Sequence, residues 1–283
     1  MKPPSSSIAH FGPEGSFANR VAQLHLGDQN FTACRTVGEV FDFVAQDQGH
    51  CGIVPVENST GGIIQETIRE IAKDNPSDIQ ILDEITLDVK LALLGRSDHV
   101  IEKVYSYFAP LDHCRAWLKQ HYPDAQLISV GSTSQAAAQA AAENNAAAIG
   151  TKKSAQLHDL EILQFPIADE VPNVTQFFLI GHPGQSFPNQ NEQDHFKTAL
   201  VVKLANQAGT LCQFLSVFGE QEVNLTRIES NPVAGEPNTY RFFIEIEGAK
   251  DSANVLAALQ AAASCSISIR CVGSYPMVSR YQS

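Results

Sequence analysis

The apolar run Cys51-Gly52-Ile53-Val54-Pro55-Val56 closes on Glu57-Asn58-Ser59-Thr60-Gly61-Gly62. A short apolar run bounded by glycine and asparagine suits a buried strand. In an open α/β sheet, ligands dock just beyond the carboxyl ends of the strands. A carboxylate and a primary amide delivered to that edge, Glu57 and Asn58, can hold the hydroxyl and carboxylate of a small polar substrate. The same two residues could instead cap the helix that follows. The segment Phe11-Gly12-Pro13-Glu14-Gly15-Ser16-Phe17 offers a second set of groups. A strand, a glycine turn and a helix start leave free amides and the Ser16 hydroxyl at a positive helix end, where a carboxylate can dock. His113 brings a side chain that ordinarily titrates near neutrality, although a helix-surface histidine is the plainer reading. Lys90, within Leu87-Asp88-Val89-Lys90-Leu91, is either a cation for a substrate carboxylate or a solvated lysine. Trp117 reads as core.

Holding these groups in place requires alternating strands and helices. Strands are expected at 7–11, 31–36, 51–56, 85–94, 126–130, 146–150 and 177–180. Helices are expected at 16–26, 37–46, 62–73, 112–121 and 133–144. Val37, Val40, Phe41 and Val44 recur at helical spacing, as do Leu111, Cys114, Trp117 and Leu118; Ser132 and Ser16 are placed to cap helices. Strands separated by helices of this length imply an α/β sheet with helices on its faces. Residues 182–191 are polar and rich in proline and glycine, and read as a linker. Beyond them the order is βαββαβ, with strands at 198–204, 223–228, 240–246 and 266–272, helices at 209–221 and 252–262, and a turn at 234–238. That order is ferredoxin-like.

The bulk composition narrows the partners. The chain has 283 residues, 43% hydrophobic and 18% charged, as expected of a globular protein with a real core. Its formal net charge of -12 argues against nucleic acid or an anionic membrane surface, both of which demand a basic patch. A small anion would need a local nest of amides or cations within this acidic exterior. The six cysteines form no C-x-x-C pair and no metal spacing, so they read as reduced thiols. The opening residues show no signal-peptide pattern and no stretch is long and apolar enough to span a bilayer; the expected location is cytoplasmic.

Four segments together resemble the prephenate dehydratases that carry a C-terminal ACT sensor domain. They are Phe11 to Phe17, Gly52 to Gly62, Asn173-Val174-Thr175-Gln176-Phe177, and a C-terminal set. The last comprises Gly209-Thr210-Leu211, Asn224-Leu225-Thr226-Arg227-Ile228-Glu229-Ser230-Asn231-Pro232 and the ending Val272-Gly273-Ser274-Tyr275-Pro276. The resemblance implies a two-lobed, periplasmic-binding-protein-like catalytic region over 1–181, with lobes of about 1–83 plus 166–181 and 84–165. The chain would cross between them near Asp83 and return near Asp169, itself part of the pattern. A linker over 182–196 and an ACT domain over 197–283 would follow.

The implied reaction turns prephenate into phenylpyruvate with loss of carbon dioxide and water, without metal or organic cofactor. The implied catalytic residues are Thr175, Glu57 and Asn58, Thr175 placing its hydroxyl on the leaving oxygen. The implied substrate-binding residues are Ser16, Phe17, Ser59, Asn173, Gln176, Phe177, Ser132 and Thr133. Gly209, Thr210, Leu211, Asn224, Leu225, Glu229, Ser230 and Asn231 are expected to sense phenylalanine at the interface of a homodimer or homotetramer. Three positions depart from the family pattern. Gln176 and Asn231 stand where arginine is usual, and Tyr107-Phe108-Ala109 followed by His113-Cys114 replaces His-Pro-Gln and Gln-Cys. The loss of arginine at Gln176 predicts weaker grip on a dianion, or an altered substrate. Other outcomes compatible with these residues are action on arogenate, decarboxylation that keeps the hydroxyl, and a catalytically silent ligand sensor.

Overall fold

The computed structural model describes residues 7–27, 29–73, 78–168, 170–185, 195–233, 235–236, 239–276 and 279–282. Asp169, part of the proposed linker and part of the turn at 234–238 lie outside them. The first lobe opens with β1 (Ser7–Phe11), α1 (Phe17–Leu26), β2 (Asn30–Cys34), α2 (Val37–Ala45), β3 (Cys51–Asn58), the short β4 (Gly62–Ile63), α3 (Gln65–Ala72) and β5 (Gln80–Asp88). Local chemistry sets the helix starts. Ser16 caps α1 by accepting from the Asn19 amide at 3.3 Å. Thr36 caps α2 by accepting from the Glu39 amide at 3.1 Å, while the Glu39 carboxylate reaches back to the Arg35 amide at 2.7 Å. This reciprocal arrangement satisfies two otherwise orphaned amides.

The second lobe holds β6 (Leu91–Gly95), β7 (Lys103–Ser106), α4 (Phe108–His113), α5 (Arg115–His121), β8 (Gln126–Ser129), α6 (Thr133–Ala142), β9 (Ala146–Gly150), α7 (Lys152–Leu157) and β10 (Glu161–Ile167). Its five-stranded sheet runs β10-β6-β9-β7-β8. The chain then returns to the first lobe as β11 (Val174–Gly181), which inserts antiparallel between β3 and β5. The strand expected at 85–94 is therefore two strands in two sheets. The apolar pattern runs through both because both halves are buried, so hydropathy alone carries no sign of the break. The crossing is marked instead by Val89, whose amide donates to the Asn173 carbonyl at 2.7 Å and ties the two inter-lobe passages together. The chain leaves the first sheet after Asp88, five residues later than expected from the sequence. The helix expected at 112–121 is also two, breaking at Cys114.

The C-terminal part comprises β12 (Phe196–Lys203), α8 (Thr210–Glu220), β13 (Leu225–Pro232), β14 (Tyr240–Glu247), α9 (Ala253–Ser264), β15 (Ser268–Pro276) and β16 (Ser279–Gln282). Four of these strands form an antiparallel sheet ordered β13-β14-β12-β15, the ferredoxin-like arrangement. One face packs on α8 and α9 through Leu200, Val202, Phe214, Phe218, Ile244 and Val255. The other face packs on the first lobe, where Val201, Phe243, Val272 and Tyr275 share one core with Val54, Ile81, Phe178 and Ile180. The last strand departs from the expected boundary: β16 lies outside the C-terminal sheet and pairs in parallel with β5 at the edge of the first sheet, completing its order β16-β5-β11-β3-β1-β2. Arg280 pairs with Asp88 at 2.8 Å, and the Tyr281 hydroxyl meets the buried His25 ring at 3.1 Å. Four residues are too few for a readable period.

The C-terminal sheet comes close to the first lobe at Gly273. A Cβ there would lie 2.4 Å from the Ile81 carbonyl oxygen, and backbone cannot yield as a side-chain tip can. Gly273→Ala is expected to push β15 off β5 and lower the melting temperature by several degrees, as overpacking typically costs about 1–3 kcal/mol. Scanning calorimetry of the purified variant checks this; an unchanged transition would show that the two sheets can slide apart freely.

Candidate active site

A cavity of about 680 Å³ lies between the two lobes, within the usual range for small-molecule sites. Its floor is the carboxyl-terminal end of β3 and the start of β11. Asn58 there makes an unusually complete set of hydrogen bonds. Its Oδ1 accepts from the Thr60 amide at 3.0 Å, the Thr60 hydroxyl at 2.6 Å and the Gly61 amide at 2.8 Å. Those three donors fix which end of the amide is oxygen. Its Nδ2 consequently points the other way and donates to Asn173 Oδ1 at 2.9 Å and to Thr175 Oγ1 at 2.8 Å. The Thr175 oxygen is thus an acceptor toward Asn58, and its one hydrogen is left for a third partner. Thr175 is buried and lines the cavity.

The wall above is built by two helix starts, one from each lobe. Ser16 and Phe17 bring the start of α1, and Ser132 and Thr133 the start of α6. Both helices have ten residues, and each end presents unpaired amides and a partial positive charge. The glycine turn before α1 is held from behind. Asn19 Oδ1 accepts from the Gly15 amide at 3.1 Å, so its Nδ2 donates to His10 Nε2 at 3.1 Å. That donor requires a lone pair on Nε2 and places the His10 proton on Nδ1. Gly15 itself has φ +80°, and a Cβ on it would sit 2.9 Å from the Leu157 side chain of the opposite lobe. The lobes also touch where Ser134 donates to the Glu14 carbonyl at 3.4 Å.

Among the described residues lining the cavity, Arg35 and Glu66 carry the only charged side chains. Glu66 accepts from the Val37 amide at 3.2 Å. Arg35 was missed by sequence reasoning, although it follows directly on β2, a parallel strand whose carboxyl end faces the site. Tyr107, marked in the sequence only as a departure from the family pattern, is also in the lining, as is Gln135, which carried no sequence signal. Cys34 lines the cavity as a thiol: burial, and then the nearby Glu39 carboxylate, push its pKa up.

Of the residues expected at the site, Asn58, Thr175, Ser16, Phe17, Asn173, Phe177, Ser132 and Thr133 line the cavity. Glu57, Gln176 and Ser59 do not. Side chains alternate along a strand, so Glu57 and Gln176 lie on the face of the β3–β11 pair opposite Asn58 and Thr175, and both bond to Arg227 of β13. Ser59 pins the entry to β11, donating to the Pro172 carbonyl at 3.1 Å and accepting from the Val174 amide at 2.9 Å. Lys90 is not in the lining. His113 Nε2 donates to the Ala168 carbonyl at 3.2 Å and holds the second inter-lobe passage.

The expected sensing residues fall at two ends of the C-terminal sheet. Register aligns Lys203 with Arg241 and Arg241 with Asn231, so Gly209, Thr210 and Leu211, after β12, share an end with Glu229, Ser230 and Asn231. Asn224 and Leu225 lie at the other end, beside Ile246 and Glu247. Gly209 adopts φ +89° at the start of α8. Asn231 is buried, and Glu229 accepts from Gln65 of the first lobe at 3.1 Å.

Burial lowers the His10 pKa from its ordinary value, against weaker opposition from the Phe11 carbonyl and Glu14. The folded state thus resists a proton that the unfolded chain takes below about pH 6.5, and stability falls as pH drops through that value toward the lowered one. Protonation would also set an N–H against the Asn19 Nδ2 donor. His10→Gln is expected to flatten the loss of melting temperature between pH 7 and 5; a slope equal to that of the wild type would place the acid sensitivity elsewhere.

Residues 8–185 match the family model for prephenate dehydratase, and residues 198–264 match that for the ACT domain. The chain is 32% identical over 272 residues to a bifunctional chorismate mutase/prephenate dehydratase of Aquifex aeolicus, covering 95% of this chain and 73% of that one. It is 33% identical over 280 residues to a prephenate dehydratase of Lactococcus lactis, covering 96% and 98%. The crystal structure of a prephenate dehydratase from Arthrobacter aurescens in complex with L-Phe superposes with a TM-score of 0.85 at 28% identity, over 95% of this chain and 90% of that one. With the cleft, the Asn58–Thr175 pair and the ferredoxin-like sheet in place, these matches show that the chain belongs to the prephenate dehydratase family and carries an ACT domain.

Proposed function

We propose that the chain is a carbon–oxygen lyase that converts prephenate to phenylpyruvate, with Thr175 as hydrogen-bond donor to the departing hydroxyl. One observation carries the assignment of roles. Thr175 Oγ1 accepts from Asn58 Nδ2 at 2.8 Å, which turns its own hydrogen toward the cavity. In the reaction the bond to the ring carboxylate breaks and releases carbon dioxide. Its electron pair enters the ring as the C–O bond breaks, and hydroxide leaves, gaining a proton to become water. A hydroxyl aimed at the leaving oxygen favours that charge as it develops, typically by about 10²–10⁴-fold. Threonine is a very weak acid, so its contribution comes from orientation in a dry site and not from bulk proton release.

The substrate carries two carboxylates. The starts of α1 and α6 supply amides and hydroxyls for them, and the exposed Arg35 supplies the cation. This reading replaces Gln176 and Lys90 in that role, since neither lines the cavity. It also removes the reason to expect an altered substrate from the loss of arginine at position 176. Phenylalanine is the proposed effector, at the end of the ACT sheet shared by Gly209–Leu211 and Glu229–Asn231, supported by the L-Phe complex of the Arthrobacter relative. A cytoplasmic homodimer or homotetramer is the proposed setting.

Incubation with prephenate at neutral pH and mass spectrometry of the products tests the reaction. Phenylpyruvate is expected, and a decarboxylated product that retains the hydroxyl would overturn the assignment. Thr175→Ala should lower kcat by about 10²-fold or more, with Thr175→Ser recovering much of the loss. Arg35→Met should raise KM by about tenfold or more, as loss of a charge-assisted bond costs about 1.5–3 kcal/mol, while kcat changes little. An unchanged KM would remove Arg35 from the site.

A further inference from the structure

Arg227 is absent from the cavity yet lies one rung from its chemistry. It projects from β13 of the ACT sheet into the core shared with the first lobe, where its side chain is only 7% exposed. One terminal nitrogen pairs with the buried Glu245 of β14. The other, Nη2, donates to Glu57 Oε2 at 2.7 Å and also to Gln176 Oε1. Glu57 and Gln176 are cross-strand partners in the β3–β11 ladder, and the next rung of that ladder is Asn58 and Thr175. The register slips immediately on the other side, between Gln176 and Phe177. The rung gripped by Arg227 is thus the only one joining the irregular step to the Asn58–Thr175 pair.

We infer that Arg227 is a positioning residue for the reaction: by holding Glu57 and Gln176 together from the ACT domain, it fixes the Asn58–Thr175 hydrogen bond on the opposite face of the same two strands. The inference rests on Thr175 as the donor to the leaving group. A planar guanidinium can bridge two acceptors and a third carboxylate at fixed angles, which a lysine ammonium cannot do. The competing role is purely structural, neutralisation of the buried Glu245. That role predicts no kinetic effect at Glu57 or Gln176, because both bond to Arg227 Nη2 while Glu245 pairs with its other terminal nitrogen.

Kinetics of the full-length protein with prephenate separate the two. Arg227→Lys keeps a positive charge for Glu245, while Gln176→Leu and Glu57→Leu remove one grip each; the Glu57 side chain is 39% exposed, so its substitution opens no cavity in the core. Each is expected to lower kcat about tenfold with KM within twofold. The Arg227→Lys/Gln176→Leu double variant should fall no further than Arg227→Lys alone, since both act through one rung. Wild-type kcat in Gln176→Leu and Glu57→Leu would overturn the inference and leave Arg227 as a partner of Glu245 only. A readout free of turnover accompanies these. The Asn58 side-chain amide resonances, assigned with Asn58→Asp, should shift in Gln176→Leu, and coincidence with wild type would also overturn the inference. A wild type inert toward prephenate sinks the substrate assignment, while the amide resonances still decide whether Arg227 sets the pair.

Discussion

The Asn58 side chain is the fixed point from which the rest of the site takes its geometry. A primary amide has two acceptor positions and two donors, and its orientation is decided by what surrounds it. Here Thr60 and Gly61 saturate the oxygen, so the nitrogen is committed to Asn173 and Thr175. Three segments meet at this amide: the end of β3, the turn after it, and the start of β11, which returns from the other lobe. Exchanging the oxygen and nitrogen would set donor against donor at the Thr60 and Gly61 amides and acceptor against acceptor at Asn173 Oδ1. The hydroxyl direction of Thr175 is therefore set before any ligand arrives, which is how a polar group contributes to a transition state without reorganising.

Much of this could be read from the sequence, and each failure has a physical cause. Asn58, Thr175, Ser16 and Ser132 were recognisable because a cap, a strand end or a family motif marks each one. Glu57 and Gln176 were misplaced because a motif written as consecutive letters hides the alternation of a strand: neighbours in sequence lie on opposite faces. Glu57-Asn58 and Thr175-Gln176 each divide one residue to the cavity and one to the ACT sheet. Arg35 was overlooked for the complementary reason, since a lone arginine after a short, exposed strand carries no pattern. The break between β5 and β6 was invisible because both halves are apolar, and β16 because it is four residues long. Element type survived better than membership, as pairing partners are set by tertiary contacts that no local window contains.

The alternation also explains why the family's usual arginine can be absent at position 176. On the ACT-facing side of β11, position 176 never meets the cavity in this fold. What that side requires is a partner for Glu57 and for the buried carboxylates behind it, and Arg227 supplies the cation from the facing sheet. Burial acts to lower the Arg227 pKa, but the Glu245 and Glu57 carboxylates outweigh it and hold the guanidinium charged. Gln176, neutral and short, accepts from that guanidinium where a second cation would repel it.

The same reasoning bears on why so much charge lies in an otherwise apolar interface. Glu84, Glu245 and Lys197 are buried beside Arg227 and the Tyr275 hydroxyl; Lys197 meets Glu84 at 2.6 Å, and Tyr275 donates to Glu245. Buried pairs rarely add much net stability, because desolvation offsets their attraction; burial accordingly raises the Glu245 pKa even with Arg227 alongside. Apolar contact between Val201, Phe243 and Val272 on one side and Ile81, Phe178 and Ile180 on the other is non-directional, and tolerates sliding. Charged hydrogen bonds do not, since their strength falls steeply with angle and distance. The apolar surface thus holds the ACT sheet against the first lobe, while the charges fix where along β3, β5 and β11 it sits. A displacement of β13 within its own sheet is consequently a displacement of the Arg227 guanidinium relative to Glu57 and Gln176, two atoms of backbone away from the residues that face the substrate cavity.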